Sequence, residues 1–299
     1  MKKLKISAKG GSAEGRKGQK PKIFLLLYLG MLIPCCTNTL CAHAQENYPQ
    51  RIISLGPSIT KGLYLLGVEN KLIANTTYCI SPPEAKEKEK IGTVVEVNIE
   101  KVFRLKPDLV LATSLTNSRA KEKLRNLGIN VITFPTPRDF SDLCRQFLEL
   151  GRLAGKRKKA EEIVKSAKDK VTSIREKVKN LPKPKVFVQV GARPLFTATG
   201  NYFVNDYIEF AGGINIAEEA KEGIYSREQV LKANPDVIII TTMGIVAEEE
   251  KEIWQRYKTL SAVKNGRIYI IDTDKITSPT PISFVKTLEE IVSILHPGG

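Results

Sequence analysis

The chain has 299 residues, of which 42% are hydrophobic and 26% charged. That excludes a disordered chain and is long for one small domain but suited to two. The formal net charge is +15, but beyond the N-terminus the basic residues are dispersed in Lys/Glu mixtures such as EAKEKEK and AGKRKKAEE. A solvated surface accounts for them, and with no nucleic-acid module or basic–aromatic interleaving no nucleic-acid partner is expected.

In chain order, residues 1–22 carry eight Lys/Arg and one acid, Glu14. Ile23–Ile33, IFLLLYLGMLI, follows; as a helix this run reaches about 16 Å, too short for a bilayer core of about 30 Å. Ala42-His43-Ala44 then supplies an A-x-A cleavage site, so residues 1–44 are expected to be a secretory signal peptide with a long basic lead. An uncleaved membrane-anchoring helix is the competing reading. Cys35, Cys36 and Cys41 raise lipid attachment, yet they follow Pro34, Cys35 and Leu40, where such a site wants a small residue. After cleavage Cys79 and Cys144 remain. In an oxidising compartment they could pair; sequence alone does not decide whether they come within bridging distance.

Strands are expected at Arg51–Leu55, Lys71–Thr76, Asp108–Thr113, Val131–Phe134, Lys185–Val190, Asp236–Thr242 and Arg267–Asp272. Helices are expected at Ile59–Leu66, Ile99–Leu105, Ser118–Leu127, Phe140–Leu153, Tyr202–Ala211, Arg227–Ala233, Glu248–Tyr257 and Ile282–Leu295. Alternation of this kind implies an α/β fold with parallel sheets, and continuous runs such as VIIII suit strands buried on both faces. One segment breaks the rhythm. In Ala154–Asn180 the apolar residues Ala160, Ile163, Val164, Ala167, Val171, Ile174 and Val178 follow one helix stripe, ended by Leu181-Pro182-Lys183-Pro184. The expected organisation is an N-terminal α/β lobe over 45–153, a linking helix over 154–181 and a C-terminal α/β lobe over 182–299.

Each lobe contains the same phrase. NIEKVFRLKPDLVLATS begins at Asn98, and SREQVLKANPDVIIITT begins at Ser226. Asn98 and Ser226 suit N-caps, and Glu100 and Glu228 fall in the first turn, where the helix dipole favours an acid. Lys106-Pro107 and Asn234-Pro235 end the helices, because a residue before proline avoids the right-handed helical region. Helix-end stabilisation explains an acid at each place. It does not explain a glutamate at both, and two matched charges suit docking onto a two-fold symmetric partner with basic sockets.

From RIISLGPSITKGLYLLGVENKLIANTTYC through IGTVVEVNIEKVFRLKPDLVLAT, FTATGNYFVNDYIEFAGGINIA, SREQVLKANPDVIII and AVKNGRIYIID to the final LHP, the chain resembles the periplasmic substrate-binding proteins of the vitamin B12 and ferric-siderophore family, which serve ABC importers. The resemblance covers about Arg51 to Pro297. It implies two Rossmann-like lobes bridged by one rigid helix, a periplasmic location, and a monomer that captures a cobalamin, ferric-siderophore or haem-type chelate between the lobes. It implies an ABC permease dimer as partner, with Glu100 and Glu228 as docking residues. A membrane-anchored lipoprotein is the lesser alternative for location. An oxyanion such as molybdate or tungstate, or a sensor or scaffold role, is the alternative for function.

Ligand in this family lies outside the carboxyl ends of the strands, as in open α/β sheets generally. Ser58 follows the first strand; it and Thr60 can also cap the next helix, whose free N–H groups could meet an anion. Tyr78 matches an aromatic that flanks ligand in corrinoid-binding relatives. Val94 and Thr113 stand where a corrinoid binder carries tryptophans, which puts cobalamin itself in question. Arg193 is a candidate anion contact or a plain surface arginine. Tyr202 faces the cleft or packs on its own helix. Cys79 suits a small buried residue and Trp254 the core.

After residue 44 the only histidine is His296, so no bare transition-metal site is expected. No cofactor is expected either. G-x-S-x-G and G-x-x-x-x-G-K-[ST] are both missing, which leaves no basis for a serine hydrolase or a P-loop ATPase. The expectation is a binding protein, not an enzyme.

Overall fold

The computed structural model describes residues 48–241 and 245–298. The expected signal segment, with Cys35, Cys36 and Cys41, lies outside the described residues.

The first lobe is built on β1 (Ile52–Ser54), β2 (Leu72–Asn75), β3 (Glu89–Lys90), β4 (Leu109–Thr113) and β5 (Val131–Phe134), in the order β3-β2-β1-β4-β5. Every pairing is parallel. Its helices are α1 (Pro57–Leu66), α2 (Ile99–Arg104), α3 (Ser118–Asn126) and α4 (Phe140–Leu153), with a 3-10 turn at Pro83–Glu87. Ile52, Ile53, Val110 and Leu111 have no exposed surface, as strands covered on both faces require.

The long helix is α5 (Arg157–Val178). It contains the whole apolar stripe but is shorter at both ends than the expected linking segment over 154–181; at its start Gly155 turns the chain with φ of 72°. Ala160, Val164, Ala167, Val171, Ile174 and Val178 are buried, whereas Ile163 is only partly so. The helix packs on α4 and on the C-terminal helix, α11 (Pro281–Leu295).

The second lobe contains β6 (Lys185–Ala192), β7 (Leu195–Thr197), α6 (Val204–Phe210), β8 (Ile214–Asn215), α7 (Arg227–Ala233) and β9 (Val237–Ile240). It continues with α8 (Ile245–Gln255), α9 (Ser261–Lys264), β10 (Ile268–Ile270) and α10 (Thr273–Thr277) before α11. The sheet order is β10-β9-β6-β7, with β8 on β6. β7 is antiparallel to β6, so this sheet is mixed at one edge. The sequence showed neither β7 nor β8, nor α9 and α10; elements of two to five residues carry too little periodicity to be read.

The lobes do not meet only through a strut. Ile52, Leu109 and Leu111 of the first sheet belong to the same buried cluster as Val186, Val188 and Ile239 of the second, joined through Val164, Ala167 and Val171 of α5. Phe140 of α4 stacks on Phe284 of α11 with ring centroids 4.5 Å apart, and Tyr207 of α6 stacks on the same Phe284 at 4.2 Å. Swinging the lobes far apart would expose this core, so the hinge is stiff.

Both copies of the repeated phrase form a capped helix, a stop and a buried strand. Asn98 accepts the Lys101 N–H at 2.9 Å, and Ser226 forms a reciprocal capping box with Gln229. Lys106 and Asn234 both take φ of 47°. The chain therefore leaves each helix through a left-handed residue, not the extended one expected before proline. The aspartate after each proline has a part that sequence did not suggest. Asp108 Oδ2 accepts from the N–H groups of Gln50 (2.8 Å) and Arg51 (2.9 Å), and Asp236 Oδ2 accepts from Lys185 N–H (2.8 Å). Each aspartate thus fixes the start of the first strand of its own lobe.

Candidate ligand-binding cleft

The turn after β1 brings α1 to the edge of a cavity. Gly56 is the N-cap and Pro57 the first helical residue, where its missing N–H costs nothing. A Cβ on Gly56 would stand 2.5 Å from Thr113 Cγ2, so only glycine lets β1 and β4 turn this closely. The capping role expected of Ser58 and Thr60 is not what forms. Proline starts the helix upstream of both, Ser58 lies inside it, and Thr60 Oγ1 instead donates to Ser54 Oγ at 2.9 Å.

The cavity holds about 660 Å³ and is walled by segments that follow strands in both lobes. From the first lobe come Ser58 and Ile59, Tyr78 and Ile80 after β2, Thr113–Leu115 after β4, Phe134–Pro137 after β5, and Gln146, Phe147 and Leu150 of α4. Tyr202 and Phe203, the residues from Ile270 to Asp274, and the Thr277–Pro281 turn close it from the second. The wall is thus apolar and aromatic with hydroxyls between, the usual make-up of a small-molecule site.

Three of the four expected ligand residues stand on this wall: Ser58, Tyr78 and Tyr202. Tyr78 is half exposed at the surface. Tyr202 both faces the cavity and packs edge-on against Phe203 at 4.7 Å, and burial pushes its phenol up to about 12. Val94 and Thr113 also line the wall. Arg193 does not. It sits at the β6–β7 turn with its side chain 82% exposed, 4.0 Å from Glu249.

Several wall residues had no signal in the sequence. The TDKITSPTPI segment supplies most of the second lobe's face, but its helix α10 has only five residues. Asp274 of that helix accepts an ion pair from Lys61 of α1 at 2.9 Å, which ties the two lobes beside the cavity. On α4, Gln146 Nε2 is buried without a hydrogen-bond partner.

Cys79 and Cys144 are both buried and free, so they do not pair. Cys79 Sγ lies 3.2 Å from the Thr60 and Thr76 hydroxyls, and burial pushes the Cys144 thiol up to about 12. Trp254 is core: it has no exposed surface, and its indole N–H donates to Gln189 Oε1 at 2.6 Å. Among the described residues no three His, Cys, Asp or Glu side chains gather as a metal site. His296 Nε2 lies 2.8 Å from the Ala211 carbonyl oxygen.

Glu100 and Glu228 are exposed in the first turns of α2 and α7 and stand apart from the cavity wall. Glu228's own backbone N–H and the Ser226 hydroxyl hold its carboxyl below the usual range.

Two α/β lobes on a shared helical core, with an apolar cavity walled by strand-end loops of both, define a bilobal ligand-capturing protein linked by one helix. The chain belongs to the periplasmic binding protein family, which it matches over residues 52–275. It is 34% identical to the ABC transporter substrate-binding lipoprotein YvrC of Bacillus subtilis, a protein described as uncharacterized, over 83% of this chain and 81% of the relative. The crystal structure of the periplasmic vitamin B12 binding protein BtuF of Vibrio cholerae superposes with a TM-score of 0.71 at 26% identity, covering 83% of this chain and 96% of that one. A possible iron-binding, periplasmic solute-binding protein of Staphylococcus epidermidis gives 0.74 at 28%, covering 84% and 100%.

Proposed function

We propose that the protein is the substrate-binding component of an ABC importer, capturing a cobalamin, ferric-siderophore or haem-type chelate between its lobes and passing it to a membrane permease dimer. The observation that carries this reading is the cavity of about 660 Å³, walled from both lobes by apolar and aromatic residues. A bulky chelate with apolar faces suits such a wall better than a tetrahedral oxyanion, which needs dense polar contacts. The ligand contacts in this reading are Ser58, Tyr78 and Tyr202, with Arg193 reaching ligand only if the β6–β7 turn moves. The working units are the lobe over 45–153, the helix over 154–181 and the lobe over 182–299, in a monomer.

Nothing in this reading calls for catalysis by the chain itself; ATP is hydrolysed by a separate subunit. The protein is exported by cleavage after residue 44. The lipoprotein label of the Bacillus subtilis relative supports the alternative of a lipid-anchored form, which would present the same cleft.

Docking falls to Glu100 and Glu228. Both are exposed and lie at equivalent helix starts in the two lobes, as a two-fold partner with basic sockets requires. Reversing both charges, Glu100→Lys with Glu228→Lys, is expected to abolish chelate uptake in cells while calorimetric affinity for the same chelate is unchanged. Surviving uptake, or affinity lost together with uptake, would remove the docking role. N-terminal sequencing of the exported protein tests the cleavage site.

A further inference from the structure

The charge on the cavity wall bears on which chelates enter, given the ligand-capture reading above. Lys61 is the ammonium beside the cavity, and it is already neutralised. Its Nζ lies 2.9 Å from Asp274 Oδ2 and 3.3 Å from the Asp274 carbonyl oxygen, and its side chain is only 11% exposed. Asp274 itself is part of the wall, as is Asp272, which is exposed and accepts the Asp274 N–H at 2.7 Å. Among the described residues every charged side chain on the wall is one of these two aspartates.

The uncharged polar groups are of a different kind. Ser58 brings a hydroxyl, the Ser114 and Thr136 hydroxyls pair with each other at 2.8 Å, Thr273 Oγ1 donates to the Thr241 carbonyl oxygen at 2.7 Å and keeps its acceptor side, and Gln146 brings an amide whose buried Nε2 has no partner. An unsatisfied buried donor asks for an acceptor. Hydroxyls and an amide can match a ligand's own amides or hydroxyls in either direction.

A polyanionic chelate entering this cleft would exchange water for a wall with no free cation: Lys61 and Asp274 cancel each other, and the uncompensated charge is the Asp272 carboxylate. Like charges brought together in a partly desolvated site are strongly unfavourable. A neutral chelate with an amide or hydroxyl rim meets no such penalty, and a cationic one gains from Asp272. We propose that the cleft selects neutral or cationic chelates rimmed with amide or hydroxyl groups and rejects polyanionic ones, with Asp274 enforcing the choice by holding Lys61 neutralised.

The test titrates the purified exported protein, by calorimetry and absorbance, with two neutral probes and two anionic ones. The neutral probes are cyanocobalamin and a neutral ferric trihydroxamate; the anionic probes are haemin, with its two propionates, and a ferric tris-catecholate. At least one neutral probe is expected to bind at least about tenfold tighter than either anion. Asp274→Asn frees the Lys61 charge and is expected to raise affinity for the anionic probes. The double variant Lys61→Met with Asp274→Asn loses that gain. Lys61→Met alone leaves the Asp274 carboxylate unpaired and moves the ratio further against the anions.

An anionic probe that binds as tightly as the neutral ones overturns the charge rule and leaves ligand capture standing. If none of the four binds, both the rule and the chelate-capture reading fall. If Asp274→Asn keeps its circular dichroism spectrum and melting temperature but gains no anion affinity, Asp274 is not the selecting residue. The wild-type panel decides the charge rule by itself, even if Asp274→Asn does not fold.

Discussion

The two copies of the helix–proline–aspartate–strand phrase have nearly the same local structure and very different surroundings. In both, a side-chain cap starts the helix, a residue at φ of 47° ends it, and an aspartate pins the first strand of the lobe. In both, the central valine, Val102 or Val230, has no exposed surface. Beyond this the copies diverge. Lys101 on α2 pairs with Glu89 at the surface, 2.6 Å away. On α7, Arg227 pairs with Glu250, which is only 2% exposed, and lies over the Trp254 ring at 4.5 Å. Gln189 joins Glu250 to Trp254 through its amide. A phrase of this length determines its own element; what the element touches is decided by the rest of the lobe.

The largest effect that would sharpen this contrast is at the acids. Glu250→Ala leaves Arg227 and Gln189 without their buried partner, and about 3 kcal/mol of stability should be lost. Glu89→Ala, its counterpart on the first lobe, should leave the urea midpoint unchanged, because that carboxylate is exposed. Equal losses in urea unfolding would erase the distinction between the copies.

The shared part makes the next prediction. Val102→Ala and Val230→Ala should each cost about 2 kcal/mol, since each removes apolar volume from a closed site. A large difference between them would mean that the two helices are not packed alike.

Smaller effects are expected at the helix ends. Lys106 holds a left-handed conformation that disfavours a Cβ, so Lys106→Gly should stabilise by about 1 kcal/mol. Asn234 tolerates that conformation, and its Oδ1 accepts the Ser261 N–H at 2.9 Å. Asn234→Gly should therefore bring no gain, as read from thermal melts of the pair.

A pH-dependent effect is expected where the lobes meet. Asp206 of α6 accepts the Phe140 N–H at the start of α4 at 2.6 Å, and burial raises its carboxyl from 3.8 to about 6. The folded protein thus holds this proton more tightly than the unfolded chain does. The group's contribution to stability falls as pH rises from about 4 to about 6 and is level above that. Asp206→Asn keeps an acceptor for Phe140 and removes the slope. The stability of the variant relative to wild type should rise over that pH window in urea titrations, and a flat difference would show that the carboxyl titrates normally.

Much of the fold was legible because its signals are local. The strand Val131–Phe134 and the helices Phe140–Leu153 and Arg227–Ala233 have the bounds that their apolar runs and breakers suggested. Ser58 and Tyr78 reached the cavity because they follow β1 and β2 at the carboxyl edge of the sheet; Tyr202 lies beyond the antiparallel β7, where that rule gives no cue. Arg193 follows a strand too, but the chain there turns back as β7 and keeps the arginine at the hairpin tip. The TDKITSPTPI wall was not legible, since a five-residue helix leaves no period to read.

By itself the sequence determined the caps, the stops, the buried runs and the stripe of the linking helix, because each depends on residues within a turn or two of one another. Tertiary structure alone decided that both sheets share one core, that Asp108 and Asp236 pin strands, and that Lys61 meets Asp274 across 213 positions. The aspartate contacts exist only once each lobe's strands pair, and the shared core and the Lys61–Asp274 contact only once the lobes pack together; no local pattern encodes the distance between surfaces that this packing brings together.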